Sequence, residues 1–262
     1  MNIVARNLLK IMLERASRKN IKQYPQMVCF AHDAISRKIF IDGLFEKREL
    51  NVLQNFLKQE LRAFDTCLDI GANIGNHSLF FSNIFNQVIS FEPNDSTFKV
   101  LEINGALANN IHAVNVGLGS KSAILDAFVN PLNIGGAKIS NSSEANIEFK
   151  IITLDAYLKE NPSSSISFIK IDVEGHELET LKGASQTLQK YYPILALELH
   201  AKKEGSQSDS ILNFLQEKGY KYAHIFKSNF FTISKPVFVK VSLNKFKGLP
   251  KKNHKMVLFT VN

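Results

Sequence analysis

The chain has 262 residues, of which 45% are hydrophobic and 21% are charged, which is the composition of an ordinary globular domain. No apolar run approaches the roughly 18 residues that a membrane span needs, and no cleavable leader is evident at the N-terminus, so we expect a cytoplasmic protein. The two cysteines, Cys29 and Cys67, are too few for a disulfide framework or a zinc ribbon.

The net charge of +8 is unevenly distributed along the chain. Residues 1–50 contain 10 basic and 5 acidic side chains, residues 51–201 contain 10 and 16, and residues 202–262 contain 12 and 3. Basic ends suit peripheral contact with an anionic membrane, at the inner surface for a cytoplasmic protein, or a solvated lysine-rich surface. Aromatic residues do not alternate with arginines as they do in nucleic-acid modules, so we expect no nucleic-acid partner.

Residues 1–65 predict an extension that precedes the main domain. Residues 1–23 mix apolar and basic side chains at helical spacing, which indicates a basic amphipathic helix. Such a helix lies on an anionic membrane, packs over the core or packs against a second subunit of a homo-oligomer. Turn signals at Ser36-Arg37 and Asp42-Gly43 predict short strands around them, and the apolar spacing over residues 51–64 predicts a helix.

Residues 66–262 predict a doubly wound α/β domain, because short apolar strands alternate there with helical segments. Seven strands are expected, at residues 66–70, 87–91, 113–116, 167–173, 194–199, 220–226 and 255–261. The helices between them are expected at residues 77–85, 96–108, 178–189 and 209–218. Residues 117–152 form an insertion, with two extended segments around a flexible stretch, Asn133-Ile134-Gly135-Gly136. Long insertions in compact domains are commonly functional.

A glycine-containing turn follows the first strand of this domain. Gly71 and Gly75 lack a Cβ atom, so the backbone can turn tightly and approach a ligand closely. Their spacing is G-x-x-x-G rather than the G-x-G-x-x-G of dinucleotide sites. This spacing, with the lack of a Tyr-x-x-x-Lys pair in the expected region, disfavours an NAD(P)-dependent oxidoreductase, which remains an alternative.

An acidic residue, Glu92, ends the next strand 21 residues after Gly71. A carboxylate at this position is placed to accept hydrogen bonds from both ribose hydroxyls of a nucleotide. The loop and the acid together therefore predict an adenosine-containing cofactor.

Further polar side chains follow two later strands, at the edge of the sheet where ligands bind in open α/β folds. They are Asp172, Glu174 and Glu177 after one strand, and Glu198 with His200 at the end of the next. Glu177 also suits an ordinary helix first turn. For the other four we hold two hypotheses. Either Glu174 or His200 is a general base that Asp172 and Glu198 orient, or Asp172, Glu174, Glu198 and His200 bind a divalent cation.

Four segments, in this order and spacing, resemble the FkbM-type methyltransferase family over roughly residues 66–226. They are Asp69-Ile70-Gly71-Ala72-Asn73-Ile74-Gly75, Phe91-Glu92-Pro93-Asn94, Thr153-Leu154-Asp155 and Ile171-Asp172-Val173-Glu174-Gly175-His176-Glu177. The resemblance implies a Rossmann-like sheet of seven strands and S-adenosylmethionine as the methyl donor. It also implies O-methylation of a sugar, a glycan precursor or a hydroxylated natural product, as in polysaccharide modification.

The resemblance also implies roles for single residues. Asp69, Gly71, Asn73 and Gly75 would surround the methionine part of the donor, and Glu92 would hold its ribose. Asn94, Asn115 and Gly117 would flank the adenine, whereas Asp172 would lie beside the donor and Glu174 near the acceptor. A non-catalytic adaptor that binds a cofactor at a membrane surface is the alternative from outside the enzymes.

Overall fold

The computed structural model describes residues 2–31, 33–130, 133–139, 144–199, 207–227, 236–246 and 253–262. The helices in these ranges are α1 Ile3–Asn20, α2 Ala34–Asp42, α3 Lys47–Glu60, α4 Asn76–Ser82, α5 Asp95–Gly105, α6 Leu154–Glu160, α7 Glu177–Gly183, α8 Ser185–Tyr191, α9 Ser208–Glu217 and α10 Leu243–Phe246. The strands are β1 Thr66–Ile70, β2 Gln87–Phe91, β3 Ile111–Val114, β4 Gly117–Leu118, β5 Ala123–Asn130, β6 Asn133–Ile139, β7 Ile147–Ile152, β8 Ile166–Ile171, β9 Ile194–Leu199, β10 Tyr222–Lys227, β11 Val237–Ser242 and β12 His254–Thr260. None of the described helices is both long and apolar enough to cross a membrane.

The main sheet has the strand order β11-β10-β12-β9-β8-β1-β2-β3. The five strands from β9 to β3 pair in parallel, and β12, β10 and β11 continue the sheet in antiparallel fashion. The chain runs outward from β1 to β3 on one side and from β8 to β9 on the other, so the strand order reverses between β1 and β8. This is a doubly wound α/β sheet, and ligands bind at such a reversal, beyond the carboxyl ends of the strands.

Each of the seven predicted strands overlaps a strand of this sheet, which confirms the doubly wound α/β prediction, but the described sheet has eight strands, so the expected number was one too low. The additional strand, β11, lies within the lysine-rich connection between β10 and β12. Its residues Val237–Ser242 are rich in valine and pair with β10 at the sheet edge, where one face accepts polar side chains. Lys240 lies 4.0 Å above the ring of Tyr222 on β10. Lys240 is therefore compatible with an edge strand, and the many lysines of this connection did not exclude a strand within it.

Apolar side chains pack on both faces of the main sheet. On one face, Leu50, Leu53 and Leu57 of α3 are fully buried against a cluster that includes Cys67 and Phe168. Their spacing of three and four residues places them on one side of the helix. Cys67 is thus a small core residue, as its apolar neighbours predict.

The prediction of short strands near Ser36-Arg37 and Asp42-Gly43 was wrong, because this segment forms helix α2. The Asp33 side chain accepts hydrogen bonds from the N–H groups of Ile35 and Ser36 and so caps the first turn. Gly43 ends the helix in the left-handed conformation, with φ of 80°. Polar residues and glycine are common both in turns and at helix ends, and here Asp33 and Gly43 cap a helix.

The insertion at 117–152 forms a second, four-stranded sheet with the order β4-β7-β5-β6. Strands β5 and β7 pair antiparallel, and β4 runs parallel to β7. The backbone of residues 133–136 belongs to β6, which pairs with β5, so the expectation of a flexible stretch was wrong. The register of this pair shifts between Phe128 and Asn130, and glycines in a strand often accompany such an irregularity.

Candidate functional site

A cleft with a volume of about 350 Å³ lies beyond the carboxyl ends of β1, β2, β8 and β9. This volume is within the usual range for small-molecule sites. The lining includes Gly71, Asn73 and Glu92 from the first two strand ends, and Gly117 with Phe149 and Ile151 from the insertion sheet. A further wall comes from the N-terminal extension, through Ala34, Ile35, Phe45 and Glu46.

The glycine turn after β1 forms one side of the cleft. Gly71 has φ of 75°, and a Cβ atom on it would lie 1.9 Å from the carbonyl oxygen of Asp172. The N–H groups of Gly71 and Ala72 both donate to the carbonyl of Phe91, at 3.0 Å, which ties the turn to the end of β2. Gly75 begins α4 with φ of 86°, and its Cβ would contact Leu101. Gly71 is therefore required by close packing at the cleft, and Gly75 by packing of α4 on α5.

Glu92 is buried at the end of β2 and lines the cleft. Its two carboxylate oxygens accept hydrogen bonds from the N–H groups of Asn73 and Asn94, at 3.0 and 2.9 Å. Burial raises the pKa of Glu92 to about 7 despite these bonds. A carboxylate can accept about four hydrogen bonds, so both oxygens have capacity left for donors from a ligand.

Lys170 on β8 is a central residue of the site that the sequence analysis missed. Its Nζ atom lies 3.2 Å from Asp69 Oδ1 and 3.6 Å from Asp172 Oδ2, and it donates to the carbonyl of Gly71 at 3.0 Å. Burial lowers the pKa of Lys170, but Asp69 and Asp172 outweigh burial and raise that pKa above its usual value. A single lysine within the buried apolar strand Ile166–Ile171 was the signal for this residue.

Asp69 faces the protein interior and is fully buried. Besides its ion pair with Lys170, it accepts a hydrogen bond of 2.6 Å from the Ser78 hydroxyl. Asp69 thus holds Lys170 and the start of α4, and Lys170 in turn holds the glycine turn. Asp69 was predicted to surround the methionine part of the donor, but it is not among the residues that line the cleft, and it acts on the cleft through these contacts.

Asp172, Glu174 and Glu198 line the rim of the cleft. The Asp172 side chain is 41% exposed. Glu174 is in the left-handed region with φ of 51°, a conformation that is uncommon outside glycine and often marks functional sites. His200 lies outside the described residues, and the residues described contain no group of three or more His, Cys, Asp or Glu arranged to hold a metal ion. The four-residue cation site therefore stays a hypothesis.

The residues predicted near the adenine are separated in the structure. Gly117 lines the cleft, where its missing Cβ leaves room for Ile151. Asn94 is buried and caps α5 by accepting from the N–H of Ser96. Asn115 is half-buried, and its side-chain amide donates to Asp95 Oδ1, 2.9 Å away. Of these three predicted residues, only Gly117 is part of the cleft lining.

Residues 69–222 match a family model described as the Methyltransferase FkbM domain. The chain belongs to the FkbM methyltransferase family. The matched range includes the glycine turn, Glu92, Lys170 and the carboxylates of the rim, so the cleft of this methyltransferase family member lies largely within the family domain.

Two relatives of known name are similar to this FkbM-family chain. The hexuronic acid methyltransferase AglP of Haloferax volcanii is 31% identical over 165 residues, which cover 62% of this chain and 68% of that protein. Methyltransferase 1 of Beauveria bassiana is 26% identical over 141 residues, which cover 44% of this chain and 57% of that protein, less than two thirds of its length.

Two solved structures also align with the chain. An FkbM methyltransferase from Methylobacillus flagellatus aligns with a TM-score of 0.47 and 19% identity, over 78% of this chain and 46% of that one. A magnesium protoporphyrin IX methyltransferase from Synechocystis aligns with a TM-score of 0.47 and 9% identity, over 98% of this chain and 96% of that one.

One FkbM-type segment of the sequence, Thr153-Leu154-Asp155, has contacts that stabilise helices. The Thr153 hydroxyl accepts from the N–H of Ala156 and caps α6. The Asp155 carboxylate accepts hydrogen bonds of 2.7 to 2.9 Å from Gln186 and Thr187 at the start of α8. These contacts dock α6 on α8.

The N-terminal wall of the cleft precedes the matched family domain and was not predicted. Glu46 Oε2 lies 3.5 Å from Nε2 of His77, and both residues line the cleft. Asn76 exchanges two hydrogen bonds with the backbone of Phe45, at 3.0 and 3.2 Å. Burial raises the pKa of Glu46, but His77 and two nearby lysines outweigh burial and leave that pKa below its usual value. Residues 45 and 46 are therefore fixed to the first turn of α4.

Proposed function

We propose that this FkbM-family methyltransferase transfers a methyl group from S-adenosylmethionine to a hydroxyl oxygen of a sugar or glycan precursor. The main observation in support is the buried Glu92, whose two oxygens are held by backbone N–H groups and remain able to accept two more donors. The hydroxyls of a ribose are two such donors. The residues present thus fit an adenosine-containing methyl donor.

The floor of the cleft, which consists of the glycine turn, Glu92 and Lys170, would bind and orient this donor. Glu92 would accept from the ribose, and the turn at Gly71–Asn73 would lie against the methionine part. When bound, the donor supplies an electrophilic methyl group on a sulfonium. The remaining task of the protein is to align the acceptor oxygen with that carbon, and such alignment accounts for much of the rate of a displacement.

The rim would handle the proton of the acceptor hydroxyl. We propose that Glu174 accepts this proton as the general base, with Asp172 and Glu198 orienting it, and His200 is the second candidate base. The donor set of Asp172, Glu174, Glu198 and His200 also suits a divalent cation such as magnesium or manganese. A bound cation would polarise the hydroxyl.

A sugar acceptor is supported by the relative from Haloferax volcanii, whose name states that it methylates hexuronic acid. A hexuronic acid carries both hydroxyls and a carboxylate, so methylation gives either an ether or an ester. We propose the ether.

Three further expectations stay predictions. They are a cytoplasmic location, self-association as a homo-oligomer, and the division into an extension of residues 1–65 and a domain of residues 66–262.

The first test is a calorimetric titration of the protein with S-adenosylmethionine, NAD and NADP, repeated on Glu92→Ala. We expect binding of S-adenosylmethionine alone, and a loss of at least tenfold in affinity in the variant. Glu102→Ala, an exposed glutamate on α5, is the matched control and should bind as the wild type does. Binding of a nicotinamide cofactor alone would overturn the proposal.

The second test offers hexuronic acids and neutral sugars to the enzyme with a methyl-labelled donor. The label should become attached to the sugar and resist mild alkali, because ethers survive conditions that hydrolyse methyl esters. Release of the label by alkali would assign the reaction to the carboxylate instead. Loss of activity on chelation, restored by magnesium or manganese, would favour the cation over the general base.

A further inference from the structure

Helix α1 has an apolar face that the described chain does not cover. The helix has 18 residues and no buried side chain. Seven large apolar side chains on it are between 43% and 76% exposed: Ile3, Val4, Leu8, Leu9, Ile11, Met12 and Leu13. Helices in proteins owe most of their stability to packing of an apolar face. A helix of this composition is therefore expected to gain its stability from a partner.

The charge of α1 indicates the chemistry of that partner. Val4, Leu8 and Met12 follow one another at a spacing of four residues and lie on one side of the helix. Over these first turns Arg6 and Lys10 lie on the opposite side, whereas Arg15 and Lys19 near the end of the helix fall on the same side as the apolar row. The helix contains five basic residues and one acidic residue, Glu14. An apolar face beside a basic face is typical of helices that lie in the interface of an anionic membrane.

Helix α2 extends this surface toward the cleft. The side-chain amide of Asn20, at the end of α1, donates to the carbonyl oxygens of Phe40 and Ile41. The side chains of Phe40 and Ile41 are 54% and 61% exposed. At the other end of α2, Ala34 and Ile35 line the cleft. The same helix thus belongs to the apolar surface and to the wall of the cleft.

We propose that α1 and α2 form a docking surface for an anionic lipid membrane, with α1 lying in the plane of the interface. The apolar side chains would enter the acyl boundary, and the basic side chains would contact lipid phosphates. Docking places the cleft wall formed by α2 next to the membrane. Since the proposed function is methylation of a sugar, the acceptor is then a sugar carried on a lipid.

The test is co-sedimentation of the full chain with vesicles of phosphatidylglycerol and, separately, of phosphatidylcholine. We expect binding to the anionic vesicles, at least tenfold weaker binding to the neutral ones, and weaker binding as salt is added. The variant Leu8→Ser with Met12→Ser should reduce anionic binding at least tenfold. The variant Ile124→Ser with Val237→Ser is the matched control, because these side chains are similarly exposed on other elements, at 61% and 50%. The control should bind as the wild type does.

Two results would overturn the docking surface. One is equal sedimentation of the wild type and the α1 variant with anionic vesicles. The other is a dimer in analytical ultracentrifugation that dissociates in the α1 variant, because the face would then be covered by a second copy. Donor affinity, measured by calorimetry, should be the same in the wild type and the α1 variant. A failure of vesicle binding is therefore distinguishable from a failure of the proposed methyl transfer.

Discussion

The floor and the rim of the cleft differ in how their charged groups are held. On the floor, Lys170 is buried and lies 3.2 Å from Asp69, which is fully buried and does not line the cleft. At the rim, Asp172 is 41% exposed and Glu174 is exposed to solvent. A buried charge needs a partner because its loss of hydration is costly, whereas an exposed one does not. The floor is thus specified by the fold, whereas Asp172 and Glu174 lie nearer to solvent at the rim of the cleft.

The largest effect is expected from Lys170→Met, which removes the cation from the floor. Asp69 would be left buried without its partner, and the carbonyl of Gly71 would lose its donor. We expect a loss of about 3–5 kcal/mol in the free energy of unfolding, measured by urea denaturation. Lys182→Met is the control, since Lys182 forms an exposed pair with Glu179 and should lose less than about 1 kcal/mol. Equal losses in the two variants would show that the buried and the exposed ion pair contribute equally to the free energy of unfolding.

The next effect concerns the rim and should leave stability unchanged. If Glu174 is the base, Glu174→Gln removes proton acceptance and should lower turnover at least about 100-fold. Because Glu174 is exposed, its replacement should alter neither the unfolding midpoint nor the affinity for the donor. Glu102→Gln is the matched control for loss of one carboxylate. Full activity of Glu174→Gln would remove Glu174 from both the general-base and the cation hypotheses.

The contrast between floor and rim also explains which parts were predictable from sequence. The glycine turn and Glu92 were predictable because a strand, a turn and a strand end are local patterns. Lys170 was missed because its partner, Asp69, is 101 positions away and becomes its neighbour only through the β1–β8 register. Helix α2 was misread because serine and glycine are common in turns, whereas here Ser36 lies in the first turn of the helix and Gly43 ends it. Glu46 lies next to His77 only because of the tertiary fold, so no local sequence pattern predicts the N-terminal wall of the cleft.

A smaller effect should appear in the pH dependence of stability, through Glu92. Its pKa in the folded protein is about 7, above its ordinary value of 4.5, because it is buried. The folded state therefore binds this proton more tightly than the unfolded state. From about pH 5 to pH 8, the contribution of Glu92 to the free energy of unfolding should fall by about 2 kcal/mol.

Glu92→Gln isolates this contribution, since glutamine does not titrate. The difference in free energy of unfolding, wild type minus variant, should decrease as the pH rises over that interval, as measured by urea denaturation at each pH. A difference that is constant with pH would show that the folded protein leaves the pKa of Glu92 at its ordinary value. The floor would then be more hydrated than its burial indicates.

The smallest effect is expected at Asp155, which belongs to neither floor nor rim although it lies in a segment typical of the family. Its carboxylate accepts from two backbone N–H groups and one hydroxyl at the start of α8. Asp155→Ala should therefore lower the free energy of unfolding by about 1–2 kcal/mol, the range for loss of a helix cap. Donor affinity in calorimetry should stay at the wild-type value, because these contacts hold α6 against α8. A loss of donor affinity without a loss of stability would instead show that Asp155 contributes to ligand binding. Asp155 would then belong with the residues of the cleft and not with those that stabilise the fold.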